Sequence, residues 1–160
     1  MSIKIITTGG TFDKVYSDAL SEFSIGEPMV EPLLQEAGVH CAYRIDSLLK
    51  KDSLDFTDAD RQLLATAITQ CPEQKILVIH GTDTMTLSAQ QLGNPGDKTV
   101  VFTGAMQPAR MRNTDAPFNL GFALGVLQCL PAGVYIAMHG QVFTAEHVQK
   151  NRQQGRFEPI

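Results

Sequence analysis

Branched apolar residues gather in four short runs along the chain: IKIITT (3–8), KILVIHG (75–81), KTVVFTG (98–104) and GVYIAMHG (133–140). None alternates strictly with polar residues, and each stops at glycine or a polar cluster. Continuous apolar runs of this length predict strands covered on both faces, as in a parallel sheet. CAYRIDSL (41–48) predicts a fifth strand with a more mixed pattern. Between the runs the spacing turns helical. EPMVEPLLQEAG (27–38) offers Pro28 for a first turn and Gly38 for the exit. Thr57 precedes ADRQLLATAITQC with Asp60 three residues on, the spacing of a capping box. TMTLSAQQL (84–92) and DAPFNLGFALGVLQCL (115–130) complete the set, the last stopped by Pro131.

Strands alternating with helices predict an α/β fold, a three-layer αβα sandwich around a mainly parallel sheet. FDKVYSDALSEF, after the first strand, reads as a β-hairpin lid rather than a helix. No linker or repeat divides residues 1–160, so one domain is expected. Ligands in such sheets bind beyond the carboxyl ends of the strands. The loops there are TTGGT (7–11), HGTDT (80–84), TGAMQ (103–107) and MHGQ (138–141). Three of the four set threonine close to glycine, pairing close backbone approach with a hydroxyl.

Composition narrows the function classes. Hydrophobic residues are 43% and charged residues 19%, the balance of an ordinary globular protein. The net charge is −4, against the basic face that nucleic acid selects. Cys41, Cys71 and Cys129 are odd in number and scattered, as expected of reduced thiols in a cytoplasmic protein. MSIKIITTGG is too short in apolar residues for a secretory segment, and no run approaches membrane-spanning length. His40, His80, His139 and His147 form no zinc-type spacing, so no metal is expected. TTGGT is neither of the glycine-rich phosphate signatures, and no serine-hydrolase elbow occurs.

Taken singly, the polar loop residues are ambiguous. Thr11 is a turn hydroxyl or a nucleophile, and Thr82 could serve only its loop. Asp83 could cap the helix after it, and Lys150 could be an ordinary solvated lysine.

Taken together, TTGGT (7–11), HGTDTM (80–85), TGAMQP (103–108), NTDAPFNL (113–120) and Lys150 in HVQKN resemble the amino-terminal domain of the bacterial-type L-asparaginases. The likeness runs in order over nearly the whole chain. It implies hydrolysis of the side-chain amide of L-asparagine to aspartate and ammonia, without metal or organic cofactor. By that resemblance Thr11 is the nucleophile, and Thr82, Asp83 and Lys150 form a supporting unit. Asp83 implies a ligand for the substrate ammonium and Ser53 one for its α-carboxylate. Gly10 and Thr82 would offer backbone N–H groups, and Ala105 would lie near the departing amide. Tyr16 is the best match for the family's lid residue, with Phe23–Ser24 as the alternative.

Two departures stand out. Leu54 follows Ser53 where many longer members have glutamine, and the chain ends at GRFEPI without the family's carboxy-terminal domain. It therefore resembles the short, single-domain members, in which a homo-oligomer could complete the pocket, with Glu158 of a neighbour as one candidate. Two further readings stay open: preference for L-glutamine, and a non-catalytic amino-acid-binding module.

Overall fold

The computed structural model describes residues 1–160. Six strands make the main sheet: β1 (Ile3–Gly9), β4 (Tyr43–Lys51), β5 (Lys75–Ile79), β6 (Thr99–Thr103), β7 (Gly133–Met138) and β8 (Gln141–Thr144). Their order is β4-β1-β5-β6-β7-β8, all parallel except β8, which runs antiparallel to β7. The continuous apolar runs thus form the strands they predict. Ile76, Leu77, Val78 and Ile79 of β5 are fully buried, as are Val100, Val101 and Phe102 of β6.

Four helices cover the two faces: α1 (Val30–Glu36), α2 (Asp58–Gln70), α3 (Met85–Leu92) and α4 (Ala116–Cys129). Ile3, Ile5, Leu77 and Val101 point to a core shared with Val30 and Leu34 of α1 and Leu120 and Leu127 of α4. Ile6, Ile76, Val78 and Phe102 point the other way, toward Leu64 and Ile68 of α2 and Met85 of α3. Alternation along each strand therefore feeds two cores, and the architecture is a mainly parallel sheet between helices.

Local signals hold in detail. Thr57 and Asp60 form a reciprocal capping box at the start of α2. Beyond α1, Val39 N–H donates to Leu34 and Gly38 N–H to Gln35, with Gly38 at φ 66. This is a Schellman exit, and it needs the positive φ that glycine adopts without steric cost. One detail differs: Pro28 lies ahead of α1, and Pro32 occupies the first turn instead. The strand expected at 41–48 runs Tyr43–Lys51.

Four strands lie outside the main sheet. β2 (Lys14–Ser17) and β3 (Glu22–Ile25) form the hairpin that follows β1, with Tyr16 opposite Phe23. β9 (Val148–Asn151) and β10 (Arg156–Pro159) form a second antiparallel pair, with Lys150 opposite Phe157. β8, β9 and β10 were not legible as apolar runs, being four residues each and mostly exposed on one side. The turn into β8 is His139–Gly140, with φ of 51 and 80. Both positive values match the two-residue turn that joins hairpin strands.

Among the parallel strands, the chain passes from β1 to its neighbour β4 and then crosses to β5 on the other side of β1. Connections diverge between β1 and β5, which opens a crevice at their carboxyl ends. The TTGGT and HGTDT loops leave the sheet there.

Candidate active site

The two loops touch through glycine. Gly10 has φ 78, and a Cβ on it would stand 2.5 Å from Gly81 Cα. Any side chain there would both strain the backbone and drive the loops apart. Gly10 N–H donates to Lys51 O at 2.9 Å, which fixes the turn against β4. Beyond it, Thr11–Asp13 makes a single 3-10 turn that leaves Thr11 half-buried and Phe12 sealed in the core. Side by side, β1 and β5 deliver Thr11 and Thr82 to one crevice.

Around Thr82 the side chains are already joined. Lys150 Nζ donates to Thr82 Oγ1 at 2.7 Å and to Asp83 Oδ1 at 2.8 Å. Those partners lie 68 and 67 residues away in sequence, so only the fold brings them together. The lysine arrives on β9, packed beside α3, with its side chain 13% exposed. Arg152 Nε lies 3.6 Å from the same Asp83 oxygen. Asp83 makes no cap for α3, whose amino-terminal residue Thr84 has no side-chain cap either. The capping alternative is thus set aside for Asp83, and the solvated-surface alternative for Lys150.

Ser53 is buried and holds the next loop. Its Oγ accepts from Thr84 N–H at 3.2 Å and its carbonyl accepts from the Thr84 hydroxyl at 2.8 Å. Leu54, which follows, is exposed. Ala105 is buried in the loop after β6, where Gly104 passes so close to the His80 carbonyl that a Cβ would overlap it. Tyr16 lies apart from this group: it is exposed on the hairpin, its ring 5.1 Å from that of Phe23. Glu158 is engaged within its own chain, accepting from Asn151 Nδ2 at 3.3 Å.

His80 and His139 act as supports. His80 is fully buried, with Nδ1 2.7 Å from Gly81 O and Nε2 2.8 Å from Ser88 Oγ. The first contact requires Nδ1–H to donate, leaving Nε2 to accept from the serine. Burial pushes its pKa down to about 4, so the ring is neutral near pH 7.

A polar network under the Ala105 loop was not legible in advance. Asp115 accepts from Met106 N–H and Gln107 N–H, from Asn119 Nδ2 at 2.9 Å and from His139 Nε2 at 2.7 Å. Burial works to raise its pKa, but the bonds from Met106, His139 and Gln107 prevail and hold it below the usual carboxylate value. Asn119 also donates to Gly104 O and accepts from His139 N–H. Asp115 stands just before α4, where an acid normally reads as a helix cap. Its carboxylate makes no cap and turns to the loop instead.

Asp13 was also missed. It is buried, and its Oδ1 accepts from Met29 N–H at 2.9 Å while Oδ2 has no partner. Burial pushes its pKa up to about 6, against the Met29 bond and the nearby Arg110. No cluster of His, Cys, Asp or Glu is arranged to hold a metal ion. No helix is long and apolar enough to cross a membrane.

The comparisons agree with this architecture. A probable periplasmic L-asparaginase of Haemophilus influenzae is 33% identical over 93% of the chain and 46% of its own length. The structure of the thermostable L-asparaginase from Thermococcus kodakarensis superposes with a TM-score of 0.87 at 26% identity, over 100% of this chain and 51% of that one. A probable cytoplasmic L-asparaginase from Campylobacter jejuni superposes at 0.80 with 26% identity, over 92% and 49%. The chain spans about half the length of the curated relatives it matches. Residues 2–157 match the family described as asparaginase, N-terminal, and the chain belongs to that family.

Proposed function

We propose that residues 1–160 act as one catalytic domain that hydrolyses the side-chain amide of L-asparagine to L-aspartate and ammonia. The observation that carries this reading is the Lys150 bridge to Thr82 and Asp83 at the switch point of the sheet, beside Thr11. A structural lysine gains nothing from a threonine hydroxyl that a backbone carbonyl would not supply equally well. A hydroxyl that must gain or lose a proton does require such a partner.

In this reading Thr11 Oγ attacks the amide carbon, and its proton passes to the departing nitrogen. The C–N bond breaks, ammonia leaves, and water then cleaves the threonine ester to give aspartate. The backbone N–H of Thr82 receives developing negative charge, whereas that of Gly10, expected from the resemblance to share this task, is already given to Lys51 O. Lys150 and Thr82 form the proton relay. Asp83 keeps Oδ2 available for the substrate ammonium while Oδ1 holds the lysine, and Ser53 lines the α-carboxylate end. Ala105 flanks the leaving amide. Tyr16 reaches the site when the hairpin closes as a lid, which desolvates the reacting groups.

The same proposal includes a cytoplasmic homo-oligomer. Free Cys41, Cys71 and Cys129 suit a reducing compartment, and exposed Leu87 and Phe118 offer apolar contact. Sedimentation of the purified protein checks the assembly.

Ammonia release from L-asparagine and L-glutamine tests the reaction, with wild type beside Thr11→Ala, Thr82→Ala and Lys150→Met. Release that collapses in the folded variants supports the mechanism, and the substrate ratio names the preferred amide. No release, together with a melting temperature raised by asparagine, would replace it with a binding module.

A further inference from the structure

Arg110 lies outside the group of residues assigned to the reaction, yet its bonds converge on the hairpin that carries Tyr16. Its Nη1 donates to Asp13 O at 2.8 Å and its Nη2 to Glu27 O at 2.9 Å. Asp13 immediately precedes β2, and Glu27 lies two residues beyond β3. One guanidinium therefore holds both legs of the hairpin at its base. Gly26 N–H donates to the same Asp13 carbonyl at 2.9 Å, and a Cβ on Gly26 would stand 3.2 Å from Arg110 Nη1. The base is thus packed as well as bonded.

Arg110 is itself anchored. It closes the segment that begins with the Ala105 loop, and Ala109 N–H donates to Phe12 O at 3.1 Å. The turn carrying Thr11, the loop carrying Ala105 and both legs of the hairpin meet at this point. On the other leg, Lys50 Nζ bonds Glu27 Oε1 at 2.7 Å, and Met29 N–H reaches the buried Asp13 carboxylate. The distal part of the hairpin has no comparable restraint, and Tyr16, Leu20 and Phe23 are all exposed.

We propose that Arg110 is a positioning residue: its two-carbonyl fork fixes the hinge of the β2–β3 hairpin relative to Thr11, so that Tyr16 swings on a fixed base. The inference rests on the asparagine-hydrolase reading for its catalytic consequence but not for the hinge. A planar guanidinium spans two carbonyls with rigid geometry, whereas a lysine ammonium acts as a single point on a flexible stem. Losing the fork misplaces a closing element by about an ångström, a displacement that costs on the order of a hundredfold in rate.

The test is hydrogen exchange of the Lys14–Ser17 amides in the full chain, run beside steady-state ammonia release, for wild type, Arg110→Ala and Arg110→Lys. In Arg110→Ala the hairpin amides should exchange about tenfold faster while those of β5 and β6 do not change. Its kcat should fall roughly tenfold to hundredfold, with KM moving by less than about threefold. Arg110→Lys should lie between the two in both readouts, and it carries the test alone if the alanine variant does not fold. Unchanged hairpin exchange overturns the hinge. Faster exchange with wild-type kcat overturns the positioning role and leaves a purely structural contact. If the wild type releases no ammonia, the functional reading fails separately: exchange still decides the hinge, and the catalytic part of the inference falls.

Discussion

Thr82 and Thr11 enter the same crevice from neighbouring strands, but their surroundings differ. Thr82 is 6% exposed and receives a 2.7 Å bond from a lysine 68 residues away, itself shared with Asp83. Thr11 is half-buried on a one-turn helix, and the element that follows it is an exposed hairpin held at its base. The β5 side is already bonded together, while the β1 side is bordered by a hairpin that is exposed beyond its base. Preorganised charge and hydrogen bonding are most effective where they need no rearrangement, whereas admission of substrate requires an opening. In the hydrolase reading proposed above, the cleft would divide these tasks between its two walls.

The contrast breaks most sharply at Lys150. Lys150→Met should lower kcat for asparagine by about 10²–10⁴, the usual worth of positioned proton transfer, with the melting temperature changed far less than activity. Activity within tenfold of wild type would remove the lysine from the relay.

Next in size is Gly10→Ala, which tests whether the two walls must touch. The left-handed backbone costs about 1–2 kcal/mol and overpacking about 1–3 more, so roughly 2–5 kcal/mol of stability should be lost in urea denaturation. A loss below 1 kcal/mol would mean that the loops separate cheaply.

Asp13 sharpens the picture of the β1 wall. Burial pushes its carboxyl up to about 6 in the folded protein, above the ordinary 3.8, so the folded protein binds the extra proton between those values. Stability from this group therefore falls as pH rises from about 4 to 6 and stays lower above that. Asp13→Asn, which keeps an acceptor for Met29, should stabilise the protein at pH 8 by up to about 3 kcal/mol and by little at pH 4. Equal effects at the two pH values would show that the buried carboxyl carries no such penalty.

The smallest expected change is Asp115→Asn. It weakens the bonds to Met106, Gln107 and His139 without emptying the site, and about 1–3 kcal/mol should be lost. Because the folded pKa is depressed, the wild-type advantage should fade as pH falls below the ordinary carboxylate range. A difference that persists unchanged at pH 3 would place the effect in packing rather than charge.

What could be read from the residues follows the range of the interactions. The four apolar runs, the Thr57–Asp60 box and the Gly38 exit depend on neighbours within a few positions, and all three formed as expected. The family motifs gave Thr11, Thr82, Asp83 and Lys150, but only the fold shows that Lys150 bridges the middle pair. Asp13 and Arg110 were silent because their partners are backbone groups on distant loops, which carry no residue signature. Asp115 and Asn119 lay within the NTDAPFNL motif, but their bonds to His139 and to the Ala105 loop appear only in the fold. β8, β9 and β10 escaped for a different reason: four-residue strands are too short for alternation to stand out.

The sheet order has one more consequence. Its free edges are β4 and β8, and neither suits a further strand. β4 carries Arg44, Asp46, Lys50 and Lys51 among nine residues, and β8 is only four residues long and turns straight out of β7. Charged or very short borders discourage edge-to-edge templating by another chain. The aggregation-prone stretches, KILVI and TVVFT, sit in the two central strands β5 and β6 instead. Native protein should therefore stay colloidally quiet at high concentration, and precipitation should track the population of opened molecules.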